Sequence, residues 1–134
     1  MIKKLRNISR DKTKYRSAVD NLLYLRPDII YAVSKSARKT KDPNLEDWKS
    51  ISKIMGYLKY TINYGLKFNS NLTIKAYSDA DYARDKDTRK FTTEYIITIG
   101  DAPISWCSKL QHCVSTSTAE AEYYSLSECS KQCI

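Results

Sequence analysis

A chain of 134 residues is long enough to bury one modest hydrophobic core. Hydrophobic residues make up 42% and charged residues 28%, which is ordinary globular usage and argues against a wholly disordered, collagen-like or coiled-coil chain. No apolar stretch approaches the roughly 20 residues that span a bilayer, and the first residues do not form an apolar signal core. We therefore expect a folded intracellular protein, cytoplasmic or nuclear, without a membrane partner.

The positive charge is concentrated in the first half of the chain. Residues 1–67 carry 16 basic and 6 acidic side chains, whereas residues 68–134 carry 7 and 9. Near the start, seven basic side chains face only Asp11, a pattern that favours a basic arm over residues 1–14 that tracks phosphates. A solvated terminus without a partner is the alternative. The residues predicted to bind nucleic acid are Lys3, Lys4, Arg6, Arg10, Lys12, Lys14 and Arg16.

Three helices are predicted after the arm. Apolar spacing predicts one over residues 15–25, and a second starts at Pro27, because the residue before a proline is driven out of helical geometry. The third runs from Pro43 to residue 60, with Asp42 as its N-cap. Its core-facing residues are predicted to be Trp48, Ile51, Met55 and Leu58.

From Tyr64 onward, β-branched and aromatic residues predict three strands, over residues 72–77, 94–99 and 104–107. The short turn that begins at Gly100 favours an antiparallel hairpin. A final helix is predicted over 117–133. One face of this helix holds Ala119, Tyr123, Leu126 and Ser130.

Eleven tyrosines raise the question of base stacking. Tyr24, Tyr31, Tyr57 and Tyr123 lie on apolar helical stripes, so we assign them to the core. Candidates for contact with bases are then Tyr15 and Tyr82.

Four cysteines occur in the last 28 residues, and without an export signal we expect free thiols. A zinc site that includes His112 is the alternative, although the tight CxxC spacing is missing. The cysteines are Cys107, Cys113, Cys129 and Cys133.

Two carboxylates are candidates for a functional site. Asp79 lies at the end of a predicted strand, where a side chain can project into a cleft from a rigid support. Glu120 lies three residues after Ser117 at a predicted helix start, so a capping box is its structural alternative. Asp81 could be a ligand only as a substitute for another carboxylate, and we do not expect this because we place its side chain on the opposite face of the strand.

The combination of motifs is specific to one family. The motifs follow the family's order across residues 15–134: Tyr15-Arg16-Ser17, Leu22-Leu23-Tyr24-Leu25, Arg26-Pro27-Asp28-Ile29, Tyr31-Ala32-Val33-Ser34, Trp48-Lys49, Tyr57-Leu58-Lys59, Tyr64-Gly65-Leu66, Tyr77-Ser78-Asp79-Ala80-Asp81, Thr88-Arg89-Lys90, Pro103-Ile104-Ser105-Trp106 and Glu120-Ala121-Glu122-Tyr123. With these residues the chain resembles the polymerase polyprotein of copia-type LTR retrotransposons, from the end of the reverse transcriptase region into the RNase H domain.

The resemblance implies a fold and a domain division. We expect an α+β or α/β protein with an arm over 1–14, a helical connection over 15–68 and a truncated RNase H-like domain over 69–134. That domain would hold three antiparallel strands and one helix. Its first strand would be an open edge that a protein or RNA partner covers.

The resemblance also implies catalytic and metal-binding roles. Asp79 corresponds to the family's first-strand aspartate and Glu120 to its first-helix glutamate. The family uses four carboxylates to hold two Mg²⁺ ions about 4 Å apart. Only two of the four are assigned here, so enzymatic activity remains an open question.

Our first hypothesis is a retrotransposon-derived fragment that does not catalyse, and that binds RNA or an RNA–DNA hybrid or serves as a structural part of a ribonucleoprotein. The alternative is an active Mg²⁺-dependent RNase H that cleaves the RNA strand of such hybrids within a polyprotein. A product without a selected role is a third possibility.

Overall fold

Helices precede a three-stranded antiparallel sheet in the computed structural model, which describes residues 11–81 and 90–133. The predicted succession of helices, sheet and one further helix is confirmed. Residues 1–64 and 65–134 form two compact units. The elements are α1 (Lys12–Leu23), a 3-10 helix (Pro27–Ile29), α2 (Ile30–Ala37), α3 (Leu45–Tyr60), β1 (Ile74–Asp81), β2 (Thr92–Ile99), β3 (Ala102–Leu110) and α4 (Thr118–Ser130).

Helix α1 starts within the stretch predicted as the arm. The Asp11 carboxylate accepts a hydrogen bond from the main-chain N–H of Lys14, which is the contact of an N-cap residue. Lys12, Lys14 and Arg16 therefore lie on a helix, and the Lys12 ammonium lies 3.0 Å from the Asp42 carboxylate. The other four arm residues, Lys3, Lys4, Arg6 and Arg10, lie outside the described residues.

The start of α3 corrects the predicted cap. Asn44 Oδ1 accepts from the main-chain N–H groups of Glu46 and Asp47, at 2.8 and 3.0 Å. The Asp47 carboxylate accepts in return from the Asn44 N–H, at 2.8 Å, which completes a capping box. Asn44 is therefore the N-cap instead of Asp42, because it satisfies more of the unpaired donors of the first turn.

The core of the first unit joins α1, α2 and α3. Ile51 is 1% and Ile54 is 7% exposed, with Trp48 and Leu58 packed against the core, but Met55 is 48% exposed. The prediction for Met55 is wrong because the buried stripe of α3 passes through Ile54. The buried cluster consists of Tyr15, Val19, Leu22, Ile29, Val33, Ile51 and Ile54.

Tyr15 belongs to this core and is unavailable for base stacking. Its side chain is fully buried, its hydroxyl donates to the carbonyl of Ser36 at 3.0 Å, and its ring meets Trp48 edge-on with centroids 5.3 Å apart. The stacking prediction for Tyr15 is therefore wrong. Tyr82 lies outside the described residues.

The four tyrosines assigned to the core are exposed instead. Tyr24 and Tyr123 are 76% and 74% exposed, and Tyr31 and Tyr57 are also on the surface. The Tyr57 hydroxyl donates to the Asp28 carboxylate, which explains why its ring is held outside the core.

Arg26 ties the end of α3 to the 3-10 helix. Its guanidinium donates to both carboxylate oxygens of Asp28, and also to the carbonyl and hydroxyl of Thr61. The Tyr57 and Tyr64 rings lie 5.7 and 5.8 Å from it. The Arg26-Pro27-Asp28 motif thus has a structural role in closing the first unit.

The sheet of the second unit has the order β1-β2-β3, and all pairs are antiparallel. The predicted hairpin between β2 and β3 is confirmed. It turns at Gly100, whose φ of 58° and approach to Asn69 leave no room for a Cβ atom. Strand β1 is at an edge of the sheet as described, and residues 74–79 are exposed.

None of the helices within residues 11–81 and 90–133 has the length and apolar character needed to cross a membrane.

Candidate functional site

Helix α4 packs on the sheet through small residues. Its buried positions are Ala121, Ser125 and Cys129, which are spaced four residues apart on one helical face. This buried face differs from the face that holds Ala119, Tyr123, Leu126 and Ser130. Small side chains allow a close approach of helix and strands, and that contact outweighs the apolar character of the opposite face.

Ser125 fixes α4 at the level of Asp79. Its hydroxyl lies 2.5 Å from the carbonyl oxygen of Asp79 and 3.2 Å from that of Glu94. These two residues are directly opposite each other on β1 and β2. One side chain therefore joins the helix to both strands.

We predict that Ser125→Ala lowers the free energy of unfolding by about 1–3 kcal/mol, because two carbonyl groups lose a buried donor. Ser130→Ala is the matched control, since the Ser130 hydroxyl donates within its own helix on an exposed surface. Urea unfolding measures both variants. Equal effects of the two substitutions would contradict the assigned role of Ser125.

An open cavity of about 520 Å³ lies where β1 meets α4. Asp79 and Glu122 are the two acidic residues among those that line it. The lining residues are Ser78, Asp79, Ala119, Glu122, Tyr123 and Leu126. Glu122 and Tyr123 are each three or four residues from both Ala119 and Leu126, so the four helical positions form one face of α4.

Glu120 has a different place. It is at the third position of α4, and its carboxylate accepts from the N–H and the hydroxyl of Thr116, at 2.6 and 2.9 Å. Its own N–H donates to the Ser117 hydroxyl. The hydrogen bond from the Thr116 main chain lowers the pKa of Glu120. These contacts are those of a residue that caps the start of the helix, which is the alternative that the sequence offered for Glu120.

The structure thus brings Glu122, instead of the predicted Glu120, to the cavity that Asp79 lines. The position of Glu122 could have been inferred from its helical spacing to Ala119 and Leu126. That inference needs the packing direction of α4, which its amphipathic pattern does not give.

Two further carboxylates lie on the same sheet face as Asp79. Asp81 is two residues further along β1, and side chains two apart in a strand project from the same face, so the predicted opposite orientation of Asp81 is wrong. Glu94 is the cross-strand partner of Asp79, and its carboxylate accepts from the Ser108 hydroxyl at 2.8 Å. Within residues 11–81 and 90–133, no three His, Cys, Asp or Glu side chains are grouped so that they could hold a metal ion.

The zinc alternative fails on this finding, because all of its candidate ligands are described. Cys107, Cys113, Cys129 and Cys133 are free thiols. The donors at the cavity are instead carboxylates, which suit the oxygen preference of Mg²⁺. Asp79 and Glu122 are the residues at this cavity that could contribute to holding such an ion.

Comparison with known proteins shows the origin of the chain. It is 43% identical over 128 residues to the "Retrovirus-related Pol polyprotein from transposon TNT 1-94" of Nicotiana tabacum, and the match covers 92% of this chain and 10% of that protein. The polyprotein from transposon RE1 of Arabidopsis thaliana is also 43% identical, over 91% of this chain and 9% of its own length. The "Secreted RxLR effector protein 161" of Plasmopara viticola is 36% identical, and the match covers 90% of this chain and 89% of that protein.

The chain belongs to the family of retrovirus-related Pol polyproteins, of the copia type of retrotransposon. It spans about a tenth of the length of the polyproteins it matches. No protein-family model matches it, and no solved structure matches it.

Proposed function

We propose that this chain is a retrotransposon-derived segment that binds nucleic acid, RNA or an RNA–DNA hybrid, and does not cleave it alone. The observation that carries the proposal is the cavity between β1 and α4, which two carboxylates, Asp79 and Glu122, line. We assign to Glu122 the role of the family's first-helix glutamate in its RNase H domain. The resemblance points to that domain, and the shared cavity supports the pair.

The charge at the cavity is the reason for expecting binding without cleavage. When bound, two divalent cations supply an activated water and stabilise the leaving oxygen in this type of hydrolysis. They bring a charge of +4, and the four carboxylates of the family bring −4. Asp79 and Glu122, the two acidic residues that line the cavity, together supply −2, which is half of the cation charge.

The first unit supplies a basic surface for the phosphates. Residues 11–64 hold eleven Lys and Arg side chains against six Asp and Glu. Several of the pairs between them are exposed, for example Lys12 with Asp42 and Lys49 with Glu46. Exposed ion pairs are worth about 0–1 kcal/mol, so a phosphate can replace the carboxylate.

The edge of the sheet is the proposed site of a protein or RNA partner. An edge strand presents unpaired N–H and C=O groups, and residues 74–79 of β1 are exposed. The Plasmopara viticola relative has nearly the same extent as this chain, which supports a role for the segment outside a whole polyprotein.

The second candidate function is Mg²⁺-dependent cleavage of the RNA strand of a hybrid. The shared cavity of Asp79 and Glu122 favours it, because these are two of the residue types that the family's reaction uses. Binding without cleavage and Mg²⁺-dependent cleavage predict the same cation site, and they differ in whether the RNA strand is cut.

The cation site is tested with Mn²⁺ as the probe, by calorimetric titration of the full chain. We predict that Glu122→Gln weakens Mn²⁺ binding about tenfold or more, which corresponds to ~1.4 kcal/mol. Glu120→Gln, two residues away on the same helix, leaves the Mn²⁺ affinity unchanged because Glu120 caps the helix. Loss of affinity in Glu120→Gln with no change in Glu122→Gln would reverse the assignment.

A further inference from the structure

Two cysteines meet at the end of α4. Cys129 and Cys133 are four residues apart in the sequence. The Cys133 thiol also lies 3.6 Å from the carbonyl oxygen of Cys129. Cys133 is exposed, whereas Cys129 is 3% exposed. An accessible thiol therefore lies against the main chain of a buried cysteine.

The backbone at this point can bring the two sulfurs together. Inside a helix, residues four apart have Cβ atoms about 5–6 Å apart, whereas a disulfide needs about 3.5–4.5 Å. Helix α4 ends at Ser130, and Cys133 lies in the turn beyond it. Two 3.0 Å bonds hold that turn, from the Gln132 N–H to the Cys129 carbonyl and from the Cys133 N–H to the Ser130 carbonyl. A movement of about 1–2 Å in this last turn closes the gap.

We propose that Cys129 and Cys133 are a redox site that reacts with low-molecular-weight disulfides such as oxidised glutathione. The Cys133 thiolate attacks one sulfur of the oxidant, forming a mixed disulfide and releasing one glutathione thiolate. The Cys129 thiol then loses its proton and attacks the Cys133 sulfur, and the second glutathione leaves as a thiolate. Two protein thiols are oxidised to one disulfide, and one glutathione disulfide is reduced to two thiols.

The order of the two attacks follows from exposure. Burial raises the pKa of the Cys129 thiol, so it stays protonated while the exposed Cys133 meets the oxidant first. Cys129 then acts as the resolving thiol, because the mixed disulfide forms next to it.

Closure of the disulfide changes how α4 contacts the sheet. The Cys129 sulfur lies 3.9 Å from the carbonyl oxygen of Tyr77 on β1, and its S–H is the donor in that contact. A disulfide sulfur has no hydrogen to donate. Oxidation therefore removes a link between α4 and β1 two residues before Asp79.

The test equilibrates the full chain with excess oxidised glutathione, blocks the remaining thiols, and cleaves after glutamate. Cleavage after Glu128 leaves both cysteines in the peptide that begins at Cys129. We expect this peptide to be lighter by two hydrogen atoms and unmodified by the blocking reagent. Cys113→Ser should leave this result intact, and Cys129→Ser should stop the reaction at a glutathione adduct on Cys133.

Two outcomes of the same experiment would overturn the proposal. One is a stable glutathione adduct on Cys133 in the parent chain, since Cys129 would then not resolve it. The other is a parent peptide in which both cysteines carry the blocking reagent. Because the parent chain alone decides the matter, a folding defect in a variant does not affect the conclusion.

Discussion

Replacement of Ile51 by alanine is expected to lower the free energy of unfolding of the first unit by about 2–5 kcal/mol. Ile51 is 1% exposed and belongs to the cluster in which α3 meets α1 and α2. The substitution removes buried methylene and methyl groups, and it leaves a cavity that tightly packed neighbours fill only in part. A loss of this size is a large fraction of the stability of a small unit.

Met55→Ala is the matched control for Ile51→Ala, because Met55 lies on the same helix and is 48% exposed. We expect its effect to stay within about 0.5 kcal/mol. Urea unfolding is followed by Trp48 fluorescence in a Trp106→Phe background, so that the signal reports on the first unit. A loss in Met55→Ala as large as that in Ile51→Ala would place Met55 in the buried stripe of α3, as the sequence alone predicted.

The affinity for an RNA–DNA hybrid is expected to fall by about 10³ or more between 50 and 200 mM salt, if six or more basic side chains contact phosphates. Each phosphate contact contributes about −0.7 to −0.9 to the slope of log affinity against log salt. Replacement of Lys3, Lys4, Arg6 and Arg10 by glutamine should therefore reduce the magnitude of the slope of log affinity against log salt by about 3. Fluorescence anisotropy at a series of salt concentrations gives the slope.

A control with the same change in net charge separates the arm from general electrostatics. Four lysines of the second unit, Lys67, Lys90, Lys109 and Lys131, are replaced by glutamine in this second variant. Because net charge acts at long range and contacts act locally, we expect the slope of this variant to stay close to that of the parent chain. Equal flattening in both variants would exclude the arm as the main phosphate contact.

The sequence predicted the elements of the fold better than the faces they bury. The three strands and α3 follow from period and composition, and the structure confirms them. The N-cap of α3 and the burial of Ile54 were missed. Both depend on contacts with other parts of the chain, such as the return bond from Asp47 to Asn44, and not on the apolar pattern of the helix alone.

Dependence on contacts within the folded chain also explains why only part of the candidate site was predicted. Asp79 was identified from its motif, and the structure places it at a cavity. The choice between Glu120 and Glu122 depends on which side of α4 faces the sheet. That side is set by Ser125, a polar residue whose hydroxyl contacts two strand carbonyls, so the apolar pattern of the helix alone does not show which glutamate reaches the cavity.

The burial of the tyrosines shows a further reason why the buried faces could not be predicted from the sequence. Tyr15 and Tyr57 lie on similar helical stripes, yet Tyr15 is fully buried and Tyr57 is 44% exposed. The Tyr15 hydroxyl finds an acceptor inside the core at Ser36, whereas the Tyr57 hydroxyl finds the Asp28 carboxylate at the surface. The partner of the hydroxyl decides the position of each ring, and its location is a property of the folded chain.

The most direct test of the account is a cleavage assay with a labelled RNA–DNA hybrid in Mg²⁺, at a protein concentration that anisotropy shows to be saturating. Asp79→Asn is the control, because it removes one cavity carboxylate and keeps the size of the side chain. The account predicts a bound hybrid whose RNA strand stays intact, with the same background for the parent chain and for Asp79→Asn. Cleavage by the parent chain that disappears in Asp79→Asn would contradict it and establish the chain as an active ribonuclease H.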